Sequence, residues 1–125
     1  MQKVFGSAGR SIFEKYLGEV VEVVVDRPLG SKHPKFEMTY PINYGYVPGT
    51  IAPDGEEIDA YILGVDEPLE KFQGRVVAII HRLNDNDDKL VVVSDGQEFS
   101  NEQIKELTNF QERFFKSEII TNKSG

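Results

Sequence analysis

Residues 40–59 read Tyr-Pro-Ile-Asn-Tyr-Gly-Tyr-Val-Pro-Gly-Thr-Ile-Ala-Pro-Asp-Gly-Glu-Glu-Ile-Asp. The stretch holds a short extended piece, Asn43 to Val47, which Pro48-Gly49 closes. A second turn at Asp54-Gly55 follows, and a strand begins at or just after Asp59. In that strand a period of two places Asp59 and Tyr61 on one face and Ile58, Ala60 and Ile62 on the other. Asp54, Glu56, Glu57 and Asp59 crowd four carboxylates into six positions. Such crowding suits a hard divalent cation with oxygen ligands. Taken by itself, it also fits a solvated acidic turn.

Outward from this stretch, short β-branched runs recur. Glu19 to Asp26, Phe36 to Tyr40, Ile58 to Val65, Arg75 to Leu83 and Leu90 to Val93 all read as strands. Arg75 to Leu83 and Leu90 to Val93 form a hairpin around Asn84 to Asp88, so its tip is acidic. Arg82 and Lys89 flank that acidic run. Ser100 to about Ile119 reads as the one substantial helix, because Ser100 and Gln103 have capping-box spacing. Ile104, Leu107, Phe110 and Phe114 share a face that should lie on the sheet. Residues 11–17 predict a helical turn. Five or six strands and one covering helix predict a mainly β, α+β chain built as a small closed or nearly closed barrel.

Composition narrows the function. A length of 125 residues predicts one domain over 1–125, and 39% hydrophobic with 28% charged residues is an ordinary globular balance. The net charge of −7 opposes non-specific nucleic-acid binding. No apolar run approaches the roughly 20 residues that span a bilayer, so no membrane partner is expected. Met1 to Arg10 has no hydrophobic signal core. The absence of cysteine excludes disulfides and thiolate zinc sites, and a cytoplasmic setting is the simplest expectation. His33 and His81 are too few for a zinc triad and are expected to be structural or exposed.

Three segments carry the chemistry. The first is the tyrosine-rich run with Tyr40, Tyr44 and Tyr46, whose hydroxyls could reach a phosphate or simply pack. The second is the acidic turn, and the third is Asp85, Asp87 and Asp88 followed by Lys89. In that order along the chain they resemble family I soluble inorganic pyrophosphatases. Tyr40-Pro-Ile-Asn-Tyr-Gly-Tyr is similar to that family's tyrosine segment. Asp54-Gly-Glu-Glu-Ile-Asp59 is similar to its Asp-Gly-Asp-Pro-hydrophobic-Asp signature. Asp26, Lys35 and Glu37 match an early acid, lysine and glutamate.

The resemblance implies an OB-like, mostly antiparallel barrel. It implies several Mg2+ ions (Mn2+ being a second candidate) and hydrolysis of pyrophosphate to two orthophosphates by a metal-activated water. Asp54, Asp59, Asp87, Asp85 and Asp26 would match metal ligands. Lys35, Tyr44 and Lys89 would match phosphate contacts, and Tyr40 would match a supporting position. Arg27 and Lys116 are further candidates for the substrate. Glu56 would take the water's proton. A homo-oligomer is a further expectation by analogy.

The departures are specific. Glu56 stands where the family has an aspartate, and Glu57 replaces a proline. Only Met38 and Thr39 occupy the stretch where a phosphate-binding arginine is expected, and Phe115 replaces a tyrosine. They bear on activity more than on fold, and they keep two alternatives in view. One is a hydrolase of another small phosphate compound; the other is a non-catalytic OB-like binding module.

Overall fold

The computed structural model describes residues 12–83, 85 and 87–121. Met1 to Arg10, which bear on the signal-peptide expectation, and residue 11 of the predicted helical turn lie outside them; residues 12–14 are helical. Six strands follow in chain order: β1 Val20–Arg27, β2 Asn43–Val47, β3 Ile58–Ile62, β4 Lys71–Arg82, β5 Lys89–Val93 and β6 Ser117–Ile120. A twelve-residue helix, α1, spans Asn101–Glu112 between β5 and β6.

β1 to β5 close on themselves in the order β1-β2-β3-β5-β4, with β4 returning to β1. β6 adds to the far half of β4, pairing Ile79 with Ile120 and Arg82 with Ser117. The barrel is mixed rather than wholly antiparallel. β5 inserts between β3 and β4, so it runs antiparallel to β4 but parallel to β3. That crossover closes the barrel and leaves no barrel strand with an open edge on both sides.

Period-two alternation separates two cores. Val23 and Val25, Val47, Ile58, Ala60 and Ile62, Val76 and Ile79, and Leu90 and Val92 come from all five barrel strands and fill the interior, with Phe13 and Leu17 packed against them. The opposite face of β2 to β5 presents Tyr44, Tyr61, Ala78, Ile80, Val91 and Val93 to Ile104, Leu107 and Phe110 of α1. β5 is therefore covered on both sides and buried throughout.

α1 starts as its sequence predicts. The Ser100 side chain accepts from the Gln103 N–H at 3.1 Å, and Gln103 Oε1 accepts from the Ser100 N–H at 2.8 Å. Its end does not follow the prediction. The helix stops at Glu112, Arg113 caps it, and Phe114 lies outside it with 61% of its surface exposed. The last stretch of the predicted helix, Ser117–Ile120, is instead recruited as β6 by the unpaired edge of β4. A ladder of backbone hydrogen bonds there outweighs more helix on an already covered face.

Phe36 to Tyr40 is likewise not a strand. Residues 31–39 form a loop closed by one bridge between Lys32 and Thr39. His33 Nδ1 accepts from the backbone N–H groups of Lys35 (3.0 Å) and Phe36 (3.2 Å). That turn, bracketed by Pro34 and Pro41, removes the donors a strand would need.

Gly45 sets how closely β1 and β2 approach. It lies opposite Val25, and a Cβ there would run into the Val24 carbonyl oxygen and the Val25 Cα. Gly45→Ala is expected to destabilise the chain by about 3 kcal/mol, because both obstacles are backbone and cannot rotate away. Urea denaturation would show this as a lower midpoint with an unchanged slope.

Candidate active site

Strand register assembles the site. Asp59 on β3 and Lys89 on β5 are partners in the parallel pair. Tyr44 on β2 faces Tyr61 on β3, with ring centroids 5.0 Å apart. β1 carries a bulge between Val25 and Arg27, the device that re-aims a side chain from a regular strand. Through it Asp26 and Arg27 both line the same pocket as Tyr44, opposite which Arg27 sits. The β4–β5 hairpin tip brings Asp87 to Lys89.

The centre of the pocket is Lys89, only 2% exposed. Its Nζ donates to Asp59 Oδ2 at 2.6 Å and lies 2.9 Å from Asp87 Oδ1. The same ammonium stands 5.6 Å from the centroid of the Tyr44 ring. Desolvation alone would lower the Lys89 pKa. Tyr44, Asp59 and Asp87 outweigh it and hold the ammonium above the ordinary lysine range. Burial pushes the Tyr44 phenol well up, so it keeps its proton and can donate. Burial also raises the Asp26 carboxyl, against the lowering effect of Arg27.

Arg82, at the end of β4, joins this floor from the other side. Its Nε donates to Glu112 Oε1 at 3.1 Å and its Nη2 to Glu112 Oε2 at 2.8 Å. The guanidinium carbon lies 3.6 Å from the Phe115 ring centroid, and Nη1 is 3.5 Å from both Asp85 Oδ2 and Asp87 Oδ2. Glu112 Oε2 also accepts from the Tyr61 hydroxyl at 2.6 Å, and Gln111 Nε2 donates to that hydroxyl at 2.7 Å. The hairpin tip is pinned from below by Asp88, which accepts from the Arg82 N–H at 2.9 Å and meets His81 Nδ1 at 2.8 Å.

The pocket has a volume of about 520 Å3. It gathers Asp26, Arg27, Tyr40, Tyr44, Asp59, Asp87 and Lys89 of the residues expected from sequence. Beside it a recess of about 270 Å3 is lined by Asp26, Tyr46, Glu56, Glu57 and Asp59, so Glu56 adjoins the pocket through two shared carboxylates. Asp54 lines neither; it lies exposed in the turn, where its Oδ1 accepts from the Glu56 N–H at 2.9 Å. Asp85 is exposed and touches the site through Arg82. Lys35 is exposed and lines a separate groove along the 31–39 loop. Lys116 is exposed and lines another groove with Leu83 and Ser117. Sequence reasoning passed over Arg82 as a site residue, although its place beside the acidic run was visible. Nothing local marks Gln111, Phe36 or Phe114 as neighbours of the pocket.

The oxygen-only donors suit a hard divalent cation in chemistry. As they stand they form an ion-paired cluster instead. Among the described residues no three His, Asp or Glu side chains converge closely enough to hold a metal ion. The carboxylates of Asp59 and Asp87 are turned to Lys89 and Arg82.

Known proteins share this architecture. The inorganic pyrophosphatase family profile matches residues 18–120. The inorganic pyrophosphatase of Corynebacterium glutamicum is 27% identical over 120 residues, covering 79% of this chain and 73% of that protein. That of Xylella fastidiosa is 31% identical over 108 residues, covering 67% of this chain and 59% of its own length. In structure, the inorganic pyrophosphatase of Helicobacter pylori superposes with a TM-score of 0.64 at 19% identity, over 83% of this chain and 85% of that one. The Ehrlichia chaffeensis inorganic pyrophosphatase gives 0.63 at 20% identity, over 80% and 83%. With a profile match spanning the whole barrel, α1 and β6, the chain belongs to the family I inorganic pyrophosphatases, as a divergent member.

Proposed function

We propose that this chain hydrolyses inorganic pyrophosphate to two orthophosphates in a Mg2+-dependent reaction. The observation that carries the reading is the Asp59–Lys89–Asp87 cluster, in which a buried Lys89 beside Tyr44 meets two partly exposed carboxylates in a pocket large enough for the substrate. Asp59, Asp87 and Asp26 are the carboxylates that would hold the cation once Asp59 and Asp87 turn to it from Lys89 and Arg82, with Asp85 and Asp54 in the adjoining turns. When bound, Mg2+ offsets the substrate's negative charge and lowers the pKa of water.

The side chains supply the rest. The Lys89 ammonium sits between Asp59 and Asp87 and beside Tyr44, where it can turn a donor to a phosphate oxygen. Its raised pKa keeps it cationic as charge grows on the departing phosphate. The Tyr44 hydroxyl, held protonated by burial, donates to a second oxygen. Arg27 offers a guanidinium on the β1 side of the pocket. Water forms the new P–O bond, the bridging P–O bond breaks toward the leaving phosphate, and the water's proton passes to a carboxylate. Glu56, in the recess beside Asp26 and Asp59, is the assigned acceptor.

Phosphate release from pyrophosphate, with and without Mg2+, tests the reaction. Mg2+-dependent release is expected; no release above an Asp59→Ala background, across several metals and pH values, would remove the reading. Glu56→Asp tests the proton acceptor, since it shortens the side chain to the length found in the family signature. About tenfold faster hydrolysis is expected, because misplacement of a reacting group by roughly 1 Å can cost up to a hundredfold. An unchanged rate would move that role to another carboxylate.

A further inference from the structure

The pocket has two different halves. Its floor is ionic, but its outer wall is Phe36, Met38 and Phe114, with His33 behind them. Phe36 and Phe114 are each 61% exposed. Their rings nonetheless pair, with centroids 6.4 Å apart and planes within 22° of parallel. One comes from the 31–39 loop and the other from the turn after α1, so two separate elements bring them to the pocket's wall. His33 extends the surface inward, 4.8 Å from the Phe36 ring and stacked within 6° of Tyr40 at 6.1 Å. Aromatic surface left open to water in one cluster marks a place of contact, in a way that isolated exposed residues do not.

A bare diphosphate is charged throughout and gains nothing from such a wall. A cavity of about 520 Å3 lies in the range that holds ligands with an organic body as well as an ionic head. The cations that line the same cavity are Arg27, Arg82 and Lys89, on its floor. An anion bearing a flat ring matches both features: the ring stacks on the wall and the charge complements Arg27 and Lys89 on the floor.

The geometry points to a ligand class beyond the bare anion: a phosphoanhydride that carries a planar aromatic group, of which a nucleoside diphosphate is the simplest form. The anhydride sits on the Lys89 floor and the base lies on the Phe36–Phe114 wall. This rests on the phosphate chemistry proposed for the floor and adds a second subsite to it.

Calorimetric titration of the full chain in Mg2+ with pyrophosphate, methyl diphosphate and ADP separates the two subsites. ADP is expected to bind at least fivefold tighter than methyl diphosphate, as stacking of one base on an aromatic side chain is worth about five- to a hundredfold. Phe36→Ala and Phe114→Ala should each weaken ADP at least fivefold and leave pyrophosphate within twofold. Both side chains are largely exposed, so the variants should fold, and unchanged thermal midpoints would confirm it. ADP binding no tighter than methyl diphosphate, or weakening equally with pyrophosphate in the variants, would overturn the inference. Sedimentation covers the competing occupant: an assembly that dissociates in the variants while ADP affinity holds would assign the wall to contact between copies and also overturn it. Failure of pyrophosphate to bind, with ADP still dependent on Phe36, would strike the proposed reaction and leave the aromatic subsite standing.

Discussion

Glu112→Ala should destabilise the folded chain by about 3–5 kcal/mol, a large share of the roughly 5–15 kcal/mol that holds a domain of this kind together. Arg82 and Glu112 are 4% and 7% exposed, and each is the other's main partner. Burial opposes the Arg82 charge, yet the bonds to Glu112 outweigh it and raise the pKa. Truncating Glu112 strands that guanidinium with only Asp85 and Asp87 at 3.5 Å, and it removes the acceptor of the Tyr61 hydroxyl. The price of an uncompensated buried charge is what makes the loss large, not the net strength of the pair. The double variant Arg82→Met with Glu112→Leu should therefore recover most of the loss. Urea denaturation of both single variants and the double decides it. Single losses below about 1 kcal/mol would mean that water reaches the pair, and that it is a surface contact in its energetics.

This pair shows where the sequence stops being informative. Its partners lie 30 residues apart, at the end of β4 and the end of α1, and nothing local announces their meeting. By contrast, Ile58, Ala60 and Ile62 turning inward while Tyr61 turns toward α1 follows from alternation alone, and so does the Ser100 capping box. The acidic hairpin tip was readable from a polar run between two apolar ones. Three features were decided by the assembled sheet. β6 exists because the edge of β4 was free, β3 and β5 run parallel because of where β5 inserts, and residues 31–39 bend because His33 captures two backbone donors. The same division holds at the site. Asp59, Asp87 and Lys89 belong to ordered motifs on strands or at a strand end, and register brings them together. Lys35 and Lys116 were single lysines with spacing as their only support, and both lie exposed outside the pocket. Asp54 shares the acidic turn with Glu56 but spends its carboxylate on the turn itself.

Asp59→Asn should lower kcat/KM for pyrophosphate by at least a hundredfold while shifting the thermal midpoint by no more than a few degrees. Asparagine keeps the shape and an oxygen acceptor toward Lys89, so the cross-strand packing survives. It loses the negative charge that both a divalent cation and the Lys89 ammonium use. Asp87 remains 2.9 Å from Lys89, which keeps the ammonium paired and the fold supported. Under the proposed reaction the loss should fall on kcat as well as on binding, because the floor would then stabilise charge that grows in the transition state. Lys89→Met gives the complementary result, with activity lost and stability lost as well. It leaves Asp59 and Asp87 facing each other without the cation between them. The raised pKa of Lys89 adds a condition in pH. An ammonium held above the ordinary lysine range contributes its stability fully below the unfolded lysine pKa and loses it only as pH rises through the folded one. Lys89 therefore stays charged across the neutral and mildly alkaline range, and any fall in rate near pH 9 must come from another group. Asp59→Asn protein that folds normally and retains more than a tenth of the parent's activity would take Asp59 out of the reacting centre.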